Sequence, residues 1–549
     1  MKYIKQTILA PLLLFVAMCL LAVTVEMRPG RVYYILQYIL FRLSILDLLL
    51  YLAVFAVCVW SLQVLLLNKS KAVRYTFLGL LLPFLFISLS YRFITGYNYT
   101  YSDAQTALNN LSFWDAALQN YALPIFGALL AAIGVVFILA FISRKLQPVY
   151  TFKHTLNILP VILLSVWYIN RTLGVVDDLP AFYRVPVSTA LAATHQLPLG
   201  QREAVTVAPT SAGVKHLFLV VDESITGSSL SLNGNPVNTT PFLDSVKDSL
   251  LNFGVASAIT NYSAGSNIAL MSGVQTADLP DRQHLALTRP AIFQYAKEAG
   301  YTTYYIDAQL SSQALQNYLA PADLKHIDHF IQPADLDSGL PYHQRDFEVA
   351  KLLAKLSRAD EKVFVYVNKV GAHWPYARTY PESGIIFTPV LPKTSMLKDR
   401  ERATNTYHNA IRWTVDKFWQ KLMQGISATD STVVIYTSDH GQNLTEHGIS
   451  IAHASIYKPN ALEANVPLWI LDKSNITSKH TLPQPNLQSH AQVFPTILLL
   501  QGYDSTFIRS KYGYTLFDAP KDSKRYFWTG DIFGRGQTDL VEFTVAPAK

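Results

Sequence analysis

Cysteine is nearly absent, with two residues in 549, Cys19 and Cys58. Both lie inside apolar runs, which excludes a disulfide framework and a thiolate metal site from everything that follows residue 58. Charge is scarce as well. Asp, Glu, Lys and Arg make up 15% of the chain, and the mean hydropathy is +0.20. These values describe a chain that is partly membrane and partly soluble. A basic face for nucleic acid is missing. The net charge is +7, but residues 1–179 hold 13 basic and 6 acidic side chains, leaving 32 of each sign for the rest. The excess therefore sits with the apolar third, where loop lysines and arginines set topology. No internal repeat or low-complexity tract occurs, and the length exceeds one ordinary globular core.

What is present begins with five apolar segments long enough to cross a bilayer, near 7–25, 44–67, 73–91, 121–143 and 155–175. The first lacks a small-residue cleavage site and reads as a retained anchor. Lys2 and Lys5 precede it. Lys69, Lys71 and Arg74 follow the second span, and Arg144, Lys145 and Lys153 follow the fourth. The loop 93–120 has no Lys or Arg. Alternate loops are thus basic and non-basic, which predicts a cytoplasmic N-terminus and a C-terminal domain on the far side of the membrane. Arg28, Arg31 and Arg42 complicate the first outer loop, where 31–43 reads as an interfacial amphipathic helix. The aromatics Tyr97, Tyr99, Tyr101 and Trp114 read as interfacial. The domains expected are a five-helix transmembrane region over 1–175, a proline-containing bridge over 176–212 and an extracytoplasmic domain over 213–549.

In the last of these the pattern changes to short β-rich runs separated by helical stretches. HLFLVV (216–221), TTYYID (302–307), VFVYVN (363–368) and VVIYTS (433–438) read as strands, and 401–423 reads as a helix. The expected fold is α/β, with a mostly parallel sheet sandwiched by helices. Ligands of such sheets bind beyond the carboxyl ends of the strands. There the sequence places Asp222-Glu223-Ser224, Gly371-Ala372-His373 and Asp439-His440-Gly441, with His447 and His453 following. Carboxylate oxygen beside imidazole nitrogen suits Zn2+, and less strongly Mn2+.

At these residues a resemblance emerges. VVDESITGSSLSLNGNPVNTTPFLDSV (220–246) resembles the lipid A and lipooligosaccharide phosphoethanolamine transferases of the alkaline phosphatase/sulfatase superfamily. SDHGQNLTEHG (438–448) is similar to their second metal block, GAHWPYARTYP (371–381) to their Gly-Ser-His-Gly-Pro segment and SHAQVFPTIL (489–498) to their closing block. The resemblance runs from about 213 to 500. It implies that Glu223, Asp439 and His440, together with Ser263, bind the catalytic Zn2+ ion, that His373 or His453 could help build a second metal site, and that a hydroxyl some forty residues after the Glu is the nucleophile. That residue is Ser263, with Ser266 the competitor. The family's histidines fall on His373 and His453, with His447 the alternative to the latter. Both are candidates for substrate binding and for proton transfer to the departing alcohol.

The chain departs from the family's pattern in places. Serine replaces threonine as nucleophile. Where relatives contact the headgroup with an amide and a lysine, YIDAQLSSQ (305–313) offers Gln309 and Gln313. Asp222 stands where the family has Gly, and either joins the metal shell or faces solvent. The function implied is transfer of phosphoethanolamine from phosphatidylethanolamine to an envelope glycolipid, lipid A or a core sugar, through a phospho-serine intermediate. The location implied is a bacterial inner membrane with the catalytic domain periplasmic. Three other readings compete. A sulfatase would need an Arg in the Ser263 motif, which is lacking. A phosphoglycerol transferase of the lipoteichoic acid synthase kind fits 228–241 less well. An inactive sulfatase-like scaffold would not need Glu, Asp, His and hydroxyl positions intact.

Overall fold

A computed structural model describes residues 9–26, 45–96, 98–109, 114–151, 179–194, 197–392, 399–426, 431–444, 452–456, 459–475, 484–518, 524–535 and 538–544, with isolated positions between them. Two compact units emerge, Met1–Gln196 with Arg535–Gln537, and Leu197–Gly534 with Thr538–Lys549.

The first unit is helical: α1 (Ala10–Leu21), α2 (Ile45–Leu66), α3 (Lys71–Thr95), α4 (Tyr101–Asn109), α5 (Trp114–Lys145) and α6 (Ala181–Thr194). Ser70 caps α3 by accepting from the Val73 amide, and Gly96 ends it in the left-handed conformation. Three helices are long and apolar enough among the described residues to cross a membrane, over Leu48–Leu66, Lys71–Thr95 and Tyr121–Lys145. Three of the five expected spans are thus present among the described residues. Of the first expected span, the described residues form a shorter apolar helix over Ala10–Thr24. The fifth, 155–175, and the interfacial stretch 31–43 lie outside the described residues apart from isolated positions.

The second unit is built on a seven-stranded sheet: β1 (His216–Asp222), β2 (Leu250–Ser257), β3 (Thr302–Asp307), β4 (His329–Ile331), β5 (Val363–Asn368), β6 (Thr432–Ser438) and β7 (Asn465–Asp472). The strand order is β2-β7-β6-β1-β5-β3-β4. Every neighbouring pair is parallel except those of β7, which runs against both β2 and β6. A separate hairpin pairs β8 (Arg525–Thr529) with β9 (Asp539–Phe543).

The apolar run of β1 explains its central place. Its residues alternate faces: Leu217, Leu219 and Val221 enter one core and Phe218 and Val220 the other, all with no exposure. Each such side chain contributes about 1.5–3 kcal/mol relative to exposure. Helices cover both faces, among them α7 (Ser263–Ser272) on the first, and α8 (Arg345–Leu356) and α9 (Arg400–Ile411) on the second. In register, Val221 opposes Asn368 of β5 and Asp222 opposes Ser438 of β6. Three strands therefore end at one level, and the residues after them share one edge of the sheet.

Candidate functional site

Glu223 and Asp439 leave β1 and β6 side by side, tied by the Asp439 amide donating to the Asp222 carbonyl at 2.9 Å. The Ser224 amide donates to Asp439 Oδ1 at 3.0 Å, and Ser438 Oγ accepts from the Ile225 amide at 2.8 Å. His440 follows at once. Its Nδ1 meets the Gly441 carbonyl at 2.8 Å, so a proton sits there and Nε2 is the ring nitrogen that faces the two carboxylates. Nε2 lies 3.3 Å from Glu223 Oε1 and 3.7 Å from Asp439 Oδ2. Gly441 is required here, because a Cβ would come within 2.0 Å of the Leu462 carbonyl.

Ser263 is the first residue of α7, whose N-cap, Tyr262, supplies no side-chain acceptor. Its Oγ lies 3.3 Å from Glu223 Oε2 and 3.2 Å from His440 Nε2. Ser266 is fully buried and bonds to Thr260, at 2.9 Å to the hydroxyl and 3.1 Å to the carbonyl. The geometry thus separates the two serines: Ser263 faces the cluster and Ser266 ties down the turn before the helix.

Glu223, Asp439 and His440 place three ligand atoms within 4.8 Å of one another, the one such group among the described residues. Whether these residues fit a divalent ion is answered by what they lack. Asp439 Oδ2 is buried and has no hydrogen-bond partner among the described residues, an arrangement that costs free energy unless a cation completes it. Burial works against charge on Glu223, but the His440 hydrogen bond and charge hold its carboxyl well below the usual range. Burial and the adjacent Glu223 charge push Asp439 up. Burial also opposes a charge on His440, yet Asp439 and Glu223 outweigh it and raise its pKa. The cluster is short of positive charge and holds a proton where a cation would serve. Its donor set of two carboxylates and one imidazole suits Zn2+ or Mn2+.

The other expected residues divide. His453 stacks on His440, ring centroids 4.3 Å apart, and burial with the nearby His440 charge lowers its pKa to about 3. His373 is half-buried, its Nδ1 2.7 Å from the Trp374 carbonyl, and its charge acts on Glu223. Gln309 reaches the cluster by donating Nε2 to Glu223 Oε2 at 3.1 Å and to the Lys369 carbonyl at 2.8 Å. Gln313 does not join it; the side chain is exposed and bonds to Asp335. His447 lies outside the described residues. Asp222 takes neither expected role. Fully buried, it pairs with Lys369 Nζ and accepts from Tyr436 Oη at 2.6 Å.

Sequence reasoning missed Lys369. It directly follows β5, so the strand-end search that found the others would have reached it. It is fully buried with its ammonium 4.1 Å from the centre of the Phe418 ring. Also missed was Glu463, which holds the His453 segment: its Oε2 accepts from the Ser455 amide at 3.1 Å and from Asn261 Nδ2 at 2.8 Å. Neither side chain shows itself by any local motif.

Residues 215–503 match the sulfatase family. Among curated proteins, the phosphoethanolamine transferase EptA of Salmonella typhimurium is 22% identical over 309 residues, 53% of this chain and 54% of that protein. The phosphoethanolamine transferase EptC of Escherichia coli is 28% identical over 235 residues, 42% of this chain and 40% of that one. The chain spans about half the length, or less, of these curated relatives. Among solved structures, the integral membrane lipooligosaccharide phosphoethanolamine transferase A of Neisseria meningitidis superposes with a TM-score of 0.58 at 18% identity, over 82% of this chain and 89% of that one. The two share a fold.

Proposed function

This chain belongs to the sulfatase family, and on that premise we propose that it is a metal-dependent phosphoethanolamine transferase of a bacterial inner membrane. The observation that carries the reading is Ser263 Oγ standing at the N-terminus of α7, within 3.3 Å of both Glu223 and His440, beside a buried carboxylate oxygen with no hydrogen-bond partner among the described residues. The relatives' names support the headgroup. A Zn2+ ion, or Mn2+, held by Glu223, Asp439 and His440 would supply Lewis acidity that stabilises the serine alkoxide and offsets phosphoryl charge.

The chain's own residues account for the rest. Ser263 Oγ attacks the phosphorus of phosphatidylethanolamine in line with the leaving glycerol oxygen. The amides at the start of α7 face the phosphoryl oxygens, a position that favours anions. His373 and His453 flank the cluster; His373 is the acid that protonates the diacylglycerol oxygen as it departs, while His453, kept neutral by burial and the His440 charge, is suited only to accept a proton. A hydroxyl or phosphate of an envelope glycolipid then takes the group from Ser263. Gln309 holds Glu223 and orients it. Five spans with a cytoplasmic N-terminus would put this domain in the periplasm, where donor and acceptor lie in adjoining membrane surfaces.

Diacylglycerol release from phosphatidylethanolamine by the full chain in detergent tests the reading. We expect Ser263→Ala, and separately removal of metal by a chelator, to abolish release, with zinc restoring it only in the second case. Full release by Ser263→Ala would refute the nucleophile.

A further inference from the structure

Arg378 lies five residues after His373, at the end of a short helical turn over Tyr376–Arg378. Its side chain is exposed, and its guanidinium has no hydrogen-bond or ion-pair partner among the described residues. In this respect it differs from Arg202, Arg289, Arg402 and Arg509, which pair with Asp323, Asp278, Asp399 and Asp518. It is nonetheless held in place, with its guanidinium 5.4 Å from the centre of the Tyr342 ring. Arg345 approaches the same ring at 5.1 Å. Arg345 in turn donates to the Gln309 carbonyl at 2.9 Å, and the Gln309 amide binds Glu223. The path from Arg378 to the cluster is therefore a continuous run of contacts through Tyr342, Arg345 and Gln309. Burial first, and then the charges of Glu223 and Asp346, raise the Tyr342 phenol above the ordinary tyrosine range, so this ring lies within reach of the cluster's field.

A guanidinium stacked on an aromatic face loses little further freedom on binding, and its N–H edge stays open to a two-pronged contact with an oxyanion. The donor offers one phosphate, and Ser263 and its neighbours account for that group. A second anion at this rim would belong to the acceptor. Resting on the transferase reading above, we propose that Arg378, presented on Tyr342, binds an anionic group of the acceptor, a phosphate or a carboxylate, and so selects charged glycolipids over neutral ones. In the step it serves, an acceptor oxygen attacks the phosphorus of the Ser263 phosphodiester. The bond from phosphorus to Ser263 Oγ breaks, and Oγ regains the proton that the acceptor hydroxyl gives up.

The test uses the full chain in detergent with zinc, phosphatidylethanolamine as donor and three acceptors that share one alkyl chain: an alkyl glucoside, its 6-phosphate and the matching glucuronide. Wild type should prefer one or both anionic acceptors. In Arg378→Gln the ratio of anionic to neutral transfer should fall about tenfold, as expected for loss of one charge-assisted contact. Arg378→Lys should keep part of the preference, and Tyr342→Leu should lose it in the same sense as Arg378→Gln. Which anionic arm falls identifies the group recognised. An equal loss for all three acceptors in Arg378→Gln, or no preference in wild type, overturns the proposal. Failure of wild type to release diacylglycerol overturns the transferase reading itself and is scored separately from the acceptor ratio.

Discussion

At Gly371 the backbone takes φ +53°, and a Cβ there would lie 2.3 Å from Asp222 Oδ1 and 2.5 Å from the Glu223 carbonyl. The residue lets the segment carrying His373 pass against the strand end carrying Glu223, where the Ala372 amide donates to the Glu223 carbonyl at 3.0 Å. Gly371→Ala combines a left-handed conformation with a clash against backbone that cannot yield. Chemical denaturation should show a loss of at least about 2 kcal/mol, and the variant should bind zinc more weakly in a chelator competition. An unchanged midpoint and affinity would show that Gly371 has no part in placing Glu223. At this scale the sequence was readable where chemistry and position coincide. Glu223, Asp439 and His440 stand at strand ends and are of ligand type. Gln309 was identifiable only as a polar residue of the right segment, since its contact with Glu223 depends on how the chain turns after β3. Lys369 was passed over for a different reason. A lysine after an apolar strand reads as its solvated end, whereas here Asp222, Asp346 and the Thr414 carbonyl surround the ammonium and make burial tolerable.

Among the elements, β1, β3, β5 and β6 were legible almost residue for residue, because each is a short β-rich run closed by polar residues. β7 was not. NVPLWILD contains Pro467, which argues against an interior strand, yet β7 lies between β2 and β6. The register of β2 shifts between Asn252 and Val255, just before the pair Val255 and Pro467, and this irregularity accommodates the missing N–H. The segment 452–456, which carries His453, depends on Glu463. Burial raises the Glu463 carboxyl from 4.5 to about 7. The folded chain therefore holds this proton over a range where the unfolded chain has lost it, and the group's effect is to lower stability as pH rises from about 4.5 to about 7, by on the order of 3 kcal/mol. Glu463→Gln should remove that slope. Thermal unfolding of wild type and variant across this window would check it, and parallel curves would show that Glu463 is not titrating there.

On the scale of the whole molecule, the apolar third and the α/β domain were separable from composition alone, whereas helix length was not. Apolar content marks where a span is possible, but among the described residues the first expected span is an apolar helix over Ala10–Thr24 only, shorter than the three that could cross a membrane. The proposed orientation predicts that a membrane-impermeant maleimide reaches a cysteine at exposed Ser245 from the periplasm but not one at Lys69, in a chain whose own Cys19 and Cys58 are replaced. Labelling at Lys69 alone would invert the topology. The central claim is that Ser263 carries the transferred group. Its most direct test is the intact mass of the full chain after incubation with zinc and phosphatidylethanolamine, quenched rapidly and mapped by peptide. The account predicts a gain of one phosphoethanolamine on Ser263, absent from Ser263→Ala. An adduct on another residue, or diacylglycerol release with no dependence on Ser263, would contradict it.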